Sequence, residues 1–503
     1  MDMHTCNFLL TVKKVANYYG RHTKGGFVKN SLILGALLAA AIPAAQAAPP
    51  ASAAVQTRTC HLPGVEEALR CLKLPVALVP GKPETLALHV TIAPALREGA
   101  RADPLFVLAG GPGQAGSDVL LLLANAFKRV RPTRDIVFID QRGTGLSGRL
   151  ECKSDLEEDV KLTDAQVDAE LKRCIDATRA PFAAYTTANA ANDIDAVRRA
   201  LGYGKINVWG GSYGTRLAQV YARASPDSVR ALVLDGVAAP DQVIPAGGRD
   251  GQAALDKLFE QCAADAPCNK AYPNLRADFT TLVTKLDAAP LKLSLPDPRT
   301  AQTVDTTMTS ARLLDTARNM LYSPADARRL PFLVHSAAQG RWQPFVARRN
   351  LAADFSAEGS PATLMHLAVV CAEDVPRLTP ALAASDASPL TRALAARLPA
   401  MCAAMNVPPV PYKEPTRIAA PALLLSGALD PVTPPHRAAT AARFMDKAQH
   451  VVVANVGHGV SQLGCAPRLL RSFLDQPEAK LDSGCLAEIP PPTFQLGSAG
   501  PQP

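Results

Sequence analysis

Runs of Val, Ile, Leu and Phe bounded by turn residues recur through the first half of the chain and predict strands over residues 86–92, 105–109, 136–140, 206–209 and 231–234. Several runs are apolar at every position instead of every second one, the pattern of strands buried on both faces of a parallel sheet. Between them the spacing turns helical. Over residues 189–201, Ile194, Val197 and Leu201 share one face, and Gly202 stands where a helix C-cap would. Thr163 and Gln166 have capping-box spacing at the start of another helix. Strand and helix alternate, which predicts an α/β class.

Beyond about residue 240 the strand series stops. Helical apolar patterns follow around 255–259, 313–321 and 364–370, with no strand among them, until strands return at 422–426 and 451–454 ahead of a final helix over 468–474. This divides the chain into a first core part, 58–240, a mainly helical cap, 241–416, and a second core part, 417–488. Residues 489–503 are Pro-rich and predict a disordered tail.

Composition agrees with a globular body: 48% of the 503 residues are hydrophobic and 19% charged, enough for one large core with an insertion. Half of the formal charge of +8 lies in residues 1–47, where Lys13, Lys14, Arg21, Lys24 and Lys29 face only Asp2. The remainder is spread without basic clusters or interleaved aromatics, so no nucleic-acid partner is expected. After the basic stretch comes an apolar run over 31–44, closed by the small-x-small site Ala45-Gln46-Ala47. That run is shorter than the ~20 residues of a spanning helix, and Pro43 interrupts it. A signal peptide over residues 1–47 is therefore expected, with export to the periplasm or beyond and no stable membrane anchor after cleavage.

Cysteine usage fits export. Of eleven cysteines, Cys6 lies in the leader, and the other ten fall into close pairs: Cys60 and Cys71, Cys152 and Cys174, Cys262 and Cys268, Cys371 and Cys402, Cys465 and Cys485. Neighbours are expected to bond, although spacing alone leaves the connectivity open. No Cys-x-x-Cys pair occurs and no two histidines sit at ligand spacing, so disulfides are expected and a metal is not.

The chemistry centres on Gly210-Gly211-Ser212-Tyr213-Gly214, a Gly-x-Ser-x-Gly motif between a predicted strand and helix. A serine that attacks a carbonyl has to protrude on a sharp turn, and the two flanking glycines remove the Cβ atoms that would obstruct it. An ordinary glycine-rich turn would read the same way, so the other segments decide. The strand over 105–109 ends in Gly110-Gly111-Pro112-Gly113. Pro112 has no N–H, so Gly110 or Gly111 would donate to an oxyanion beside the Tyr213 amide. Asp430 follows one late strand and His458 the next, giving the order Ser212, Asp430, His458 found in α/β-hydrolases. His458 would relay the Ser212 proton and Asp430 would orient the imidazole. Asp235 also follows a strand and is the weaker candidate for the acid; His436 and His450 lack such a setting.

These segments, with Asp140-Gln141-Arg142-Gly143-Thr144-Gly145-Leu146-Ser147, resemble the proline-iminopeptidase and tripeptidyl-aminopeptidase branch of the α/β-hydrolases over residues 60–485. The cysteine pairs resemble those of the secreted tripeptidyl aminopeptidases. The iminopeptidases carry a histidine where this chain has Ala109, so strict prolyl specificity is not implied. In such relatives acidic cap residues hold the substrate's free α-amine, and Glu373 and Asp374, beside Cys371, match that segment. Asp140 and Arg142 read as structural, forming an ion pair.

The resemblance implies a mostly parallel sheet flanked by helices with a helical cap inserted late. The implied activity is a cofactor-free serine exopeptidase that cleaves short peptides or single residues from free N-termini through an acyl-enzyme. A carboxylesterase or lipid-modifying hydrolase with the same triad is the alternative; a catalytically inactive binding module stands further off, because all three triad positions are filled.

Overall fold

The computed structural model describes residues 55–152, 162–297, 300–349 and 362–500; the expected signal peptide lies outside the described residues. Eleven strands are described: β1 (Arg58–Cys60), β2 (Leu69–Ala77), β3 (Thr85–Ala93), β4 (Leu105–Leu108), β5 (Ile136–Ile139), β6 (Ile206–Gly211), β7 (Val229–Asp235), β8 (Leu291–Pro296), β9 (Thr303–Met308), β10 (Ala422–Gly427) and β11 (Ala448–Val453). Nine form one sheet in the order β1-β2-β3-β5-β4-β6-β7-β10-β11. The pairings from β1 through β3 to β5 are antiparallel. All those from β5 to β11 are parallel.

The every-position apolar runs follow from this arrangement. Alternate residues point to opposite faces of a strand. Phe106, Leu108, Val137, Ile139, Val208 and Leu424 therefore pack on one side of the sheet. Their neighbours Leu105, Val107, Ile136, Phe138, Trp209 and Leu425 pack on the other. Helices cover both sides. Those that bear on the site are α1 (Gly116–Leu122), α2 (Asp164–Ala177), α3 (Thr187–Ala200), α4 (Tyr213–Ala224), α5 (Gly248–Ala264), α6 (Ser310–Met320), α7 (Thr363–Val369), α8 (Pro389–Met405) and α9 (Ala466–Asp475). The Thr163 capping box forms: Gln166 N–H donates to Thr163 Oγ1 at 3.3 Å, and the Gln166 side chain accepts the Thr163 N–H at 2.8 Å. Truncating one such core leucine to alanine costs about 2–5 kcal/mol.

Three features differ from the sequence reading. β1 and β2 extend the sheet before the first predicted strand; β2 alternates buried and exposed positions and contains Pro75, so it lacks the continuous run that marks the central strands. The stretch between β7 and β10, read as free of strands, carries the antiparallel β8–β9 hairpin. Leu291, Leu293 and Leu295 alternate along β8 and pack against a separate cluster that includes Leu255, Phe259 and Leu313. The tail expected to be disordered is docked over its described part, 489–500. Phe494 is 4% exposed beneath the Arg328 guanidinium, which lies 3.9 Å from its ring centre, and the Gln495 carbonyl accepts from Tyr272 Oη at 2.9 Å.

Five disulfides join Cys60 to Cys71, Cys152 to Cys174, Cys262 to Cys268, Cys371 to Cys402 and Cys465 to Cys485, with Cα atoms 5.2–6.3 Å apart. These are the neighbour pairs. Among the described residues no helix is long and apolar enough to cross a membrane.

Candidate active site

β6 runs straight into α4, and Ser212 makes the turn with φ 53°, a left-handed conformation that non-glycine residues seldom adopt. The turn is held from three sides. Ser212 N–H donates to the Asp235 carbonyl at 2.9 Å, Thr215 N–H donates to the Ser212 carbonyl at 2.9 Å, and Thr215 Oγ1 donates to the same carbonyl at 2.6 Å. A Cβ on Gly210 would run into the Gly214 carbonyl, and one on Gly214 into the Leu108 carbonyl. Glycine is thus required at both positions by the close passage of strand against helix.

The loop after β4 brings Gly110 beside the serine: a Cβ there would lie 3.0 Å from Ser212 Cβ. Gly110 N–H donates to Gln114 Oε1 at 3.3 Å, so its amide is already engaged. The Gly111 and Tyr213 amides have no side-chain acceptor among the described residues, and both residues line the cavity in front of Ser212. Of the two glycines, Gly111 is the one whose amide is not taken up by Gln114. The N-terminus of α4 adds the positive end of its dipole at the same point.

Asp430 and His458 meet on the loops after β10 and β11. Asp430 Oδ2 accepts from His458 Nδ1 at 2.8 Å and from Thr433 Oγ1 at 2.7 Å, while Oδ1 accepts the Val432 and Thr433 amides at 2.9 Å. Burial alone would push the Asp430 carboxyl up, but the His458 charge and these hydrogen bonds hold it below its ordinary value. Burial likewise disfavours the imidazolium, yet the Asp430 carboxylate, with a smaller push from Asp235, raises His458 above the ordinary 6.5. The direction is the same for both partners: an ionised carboxylate that stabilises a protonated ring. Ser212 and His458 line one cavity of about 520 Å³, and Ser212 Oγ makes no hydrogen bond among the described residues.

Asp235 does not compete for His458. Its carboxylate accepts the Val460 amide at 2.8 and 3.0 Å and the Ser461 amide at 2.8 Å, which fixes the loop just after the histidine. His436 faces Asp250 at 3.4 Å, and His450 bonds Ser426 Oγ at 3.0 Å. The sequence reading missed Tyr322, which follows α6. Its carbonyl accepts the His458 N–H at 2.8 Å, and its ring stands edge-on to the imidazole with centroids 5.1 Å apart. His366, on α7, also borders the cavity; its Nδ1 donates to the Pro112 carbonyl at 3.2 Å, and burial lowers its basicity.

One expectation is corrected. Asp140 and Arg142 do not pair. Arg142 grips Asp193 with two bonds of 2.8 and 2.7 Å, while Asp140 accepts the Ser117 and Leu146 amides at 2.8 and 2.9 Å. Glu373 and Asp374, expected to hold a substrate amine, are not among the residues that line the cavity in front of Ser212. They sit on a π-helical turn, Val370–Asp374, that continues α7. Asp374 is fully buried in a two-pronged pair with Arg216 on α4, both contacts at 3.0 Å, and accepts the Ile244 amide at 3.0 Å. Glu373 accepts from Thr187 N–H and Oγ1, each at 2.6 Å, and the Thr187 hydroxyl touches Tyr213 Oη at 2.8 Å. Both carboxylates brace the helix that carries the serine turn, a role visible only in three dimensions.

The family model for the alpha/beta hydrolase fold matches residues 103–461. Over 193 residues the chain is 34% identical to serine protease Hip1 of Mycobacterium tuberculosis (strain ATCC 25618 / H37Rv), covering 35% of this chain and 37% of that one. It is 31% identical over 209 residues to tripeptidyl aminopeptidase of Streptomyces lividans, covering 37% and 39%. It is 32% identical over 136 residues to proline iminopeptidase of Neisseria gonorrhoeae, covering 27% and 32%. The chain thus spans about a third to two fifths of the length of these relatives. A hydrolase sheet with the serine turn at a parallel strand end, and a family match that takes in well over half the chain, agree that the protein belongs to the alpha/beta hydrolase fold family.

Proposed function

We propose that the protein is an exported serine peptidase that releases short peptides or single residues from free peptide N-termini. Ser212 Oγ attacks the scissile carbonyl while His458 takes its proton; the developing oxyanion receives the Tyr213 and Gly111 N–H groups. The tetrahedral intermediate collapses as His458 returns the proton to the leaving amine and the C–N bond breaks, leaving an ester on Ser212. Water then repeats the sequence, activated by His458, and frees the acyl product. Asp430 keeps the imidazole in the required tautomer and stabilises its protonated form.

The observation that carries this reading is the Asp430–His458 pair sharing one cavity with the strained Ser212 turn. A volume of about 520 Å³ suits a few residues of peptide and not a folded chain. Residues 241–416 would act as the cap that closes this cavity over the two core parts. The relatives' names, serine protease and tripeptidyl aminopeptidase, point the same way, and five disulfides favour an oxidising compartment.

One observation favours the esterase alternative. Asp235 is the sole carboxylate among the described residues that line the cavity, and its bonds to backbone amides leave it little to offer an ammonium group. Tripeptidyl and aminoacyl nitroanilides, with free and acetylated N-termini, assayed beside short-chain nitrophenyl esters separate the two. The exopeptidase reading requires kcat/KM for a free tripeptidyl anilide to exceed that of its acetylated form by about tenfold or more, the worth of one charge-assisted contact. Ester turnover without anilide turnover would leave the esterase.

A further inference from the structure

Two arginines line the cavity around Ser212, and they differ in what holds them. Arg216 is neutralised by Asp374. The side chain of Arg318, in the last turn of α6, has neither ion pair nor hydrogen bond among the described residues. The acid nearest in sequence, Asp315, accepts instead from Asn319 Nδ2 at 3.2 Å. Other polar groups of the wall are engaged: Gln242 Nε2 donates to the Val432 carbonyl at 3.1 Å, and Ser461 Oγ accepts from Trp209 Nε1 at 2.9 Å. With Thr433 bonded to Asp430 and His366 to Pro112, the described wall offers a substrate one unpaired cation and no unpaired anion. A guanidinium keeps its charge at any working pH and presents a planar fork of donors matched to a carboxylate.

Position adds direction. Arg318 lines the cavity near the end of α6, and four residues on, just past that helix, Tyr322 covers the His458 ring and accepts its backbone N–H. In acyl transfer the histidine hands its proton to the departing group, so the His458 side is where that group leaves. The wall also carries apolar side chains, among them Val119, Leu122, Leu123, Ile244 and Leu394.

We propose that Arg318 binds a carboxylate carried by the leaving part of the substrate, either the C-terminal carboxylate of a short peptide or an acidic side chain next to the scissile bond. This rests on the serine-hydrolase reading above and narrows it from peptides in general to those with an anionic leaving part. Such a contact is present before and during bond breaking, so it acts on KM more than on kcat.

The test uses the full-length protein, Arg318→Gln and Arg318→Lys on matched substrate pairs. The pairs are short peptides ending in a free acid or an amide, amidated peptides with Asp or Asn after the scissile bond, and acyl esters of 4-hydroxybenzoate or 4-hydroxybenzamide. The wild type is expected to favour the carboxylate member of at least one pair by about tenfold in KM. Free acid over amide identifies the C-terminus as the source; Asp over Asn identifies a side chain. Arg318→Gln should erase that preference by raising KM for the carboxylate member about tenfold more than for its neutral partner, and Arg318→Lys should keep part of it. Equal handling of every pair by the wild type, or equal losses on both members in Arg318→Gln, overturns the assignment. A fluorophosphonate label on Ser212 with turnover of a neutral tripeptidyl anilide or nitrophenyl ester shows in the same experiment that the underlying reading stands. No label and no turnover of any substrate overturns both.

Discussion

His458 is the residue on which the proposed proton transfers turn, and its surroundings fix a pH dependence. Its ring works as a base only when neutral. Because Asp430 raises the ring above 6.5, the imidazolium persists to higher pH than for an ordinary histidine. Activity should therefore rise with pH along an acid limb centred above 6.5 in a kcat/KM profile. Asp430→Asn removes the strongest influence that raises the ring, so that limb should move to lower pH while kcat/KM falls by about 10³–10⁴-fold. An unmoved limb would mean that another group titrates. Ser212, Asp430 and His458 were legible because each follows a buried strand in a fixed chain order. Arg318 and Tyr322 were not, because nothing local in a helix end announces that it will meet a histidine far along the chain.

At the scale of elements, the π-helical turn after α7 braces α4 through the Asp374–Arg216 pair. Asp374→Asn leaves the Arg216 guanidinium buried beside a neutral amide, and breaking a buried pair this way costs about 3–5 kcal/mol. Because α4 starts immediately after Ser212, the variant should melt at lower temperature and lose ester and peptide turnover together. Loss confined to free-amine peptides would support the amine-binding role. The docked tail makes a second element-level prediction. Phe494→Ala empties the site under Arg328 at a cost of about 3–5 kcal/mol, seen as a lower melting temperature; an unchanged melt would mean that the tail is dispensable. The central parallel strands were readable as continuous apolar runs. The β8–β9 hairpin carried its own signal in the alternating Leu291, Leu293 and Leu295, but its helical surroundings outweighed a pattern only six residues long.

For the molecule as a whole, the α/β class was legible from alternation, whereas the strand order was not. Neighbours such as β7 and β10 are separated by the whole intervening stretch, and local patterning carries no record of such long-range pairing. The five disulfides close loops of 6 to 31 residues, and each typically contributes about 2–4 kcal/mol. Reductant should therefore lower the melting temperature markedly; insensitivity to it would argue against these five bonds. The measurement that bears most directly on the central claim is covalent labelling with a fluorophosphonate, followed by digestion and mass mapping of the adduct. A single adduct on Ser212, abolished in Ser212→Ala and strongly slowed in His458→Ala, is the expected result. A folded protein that takes no label, or takes it on another residue, would contradict the assignment of Ser212 as the nucleophile.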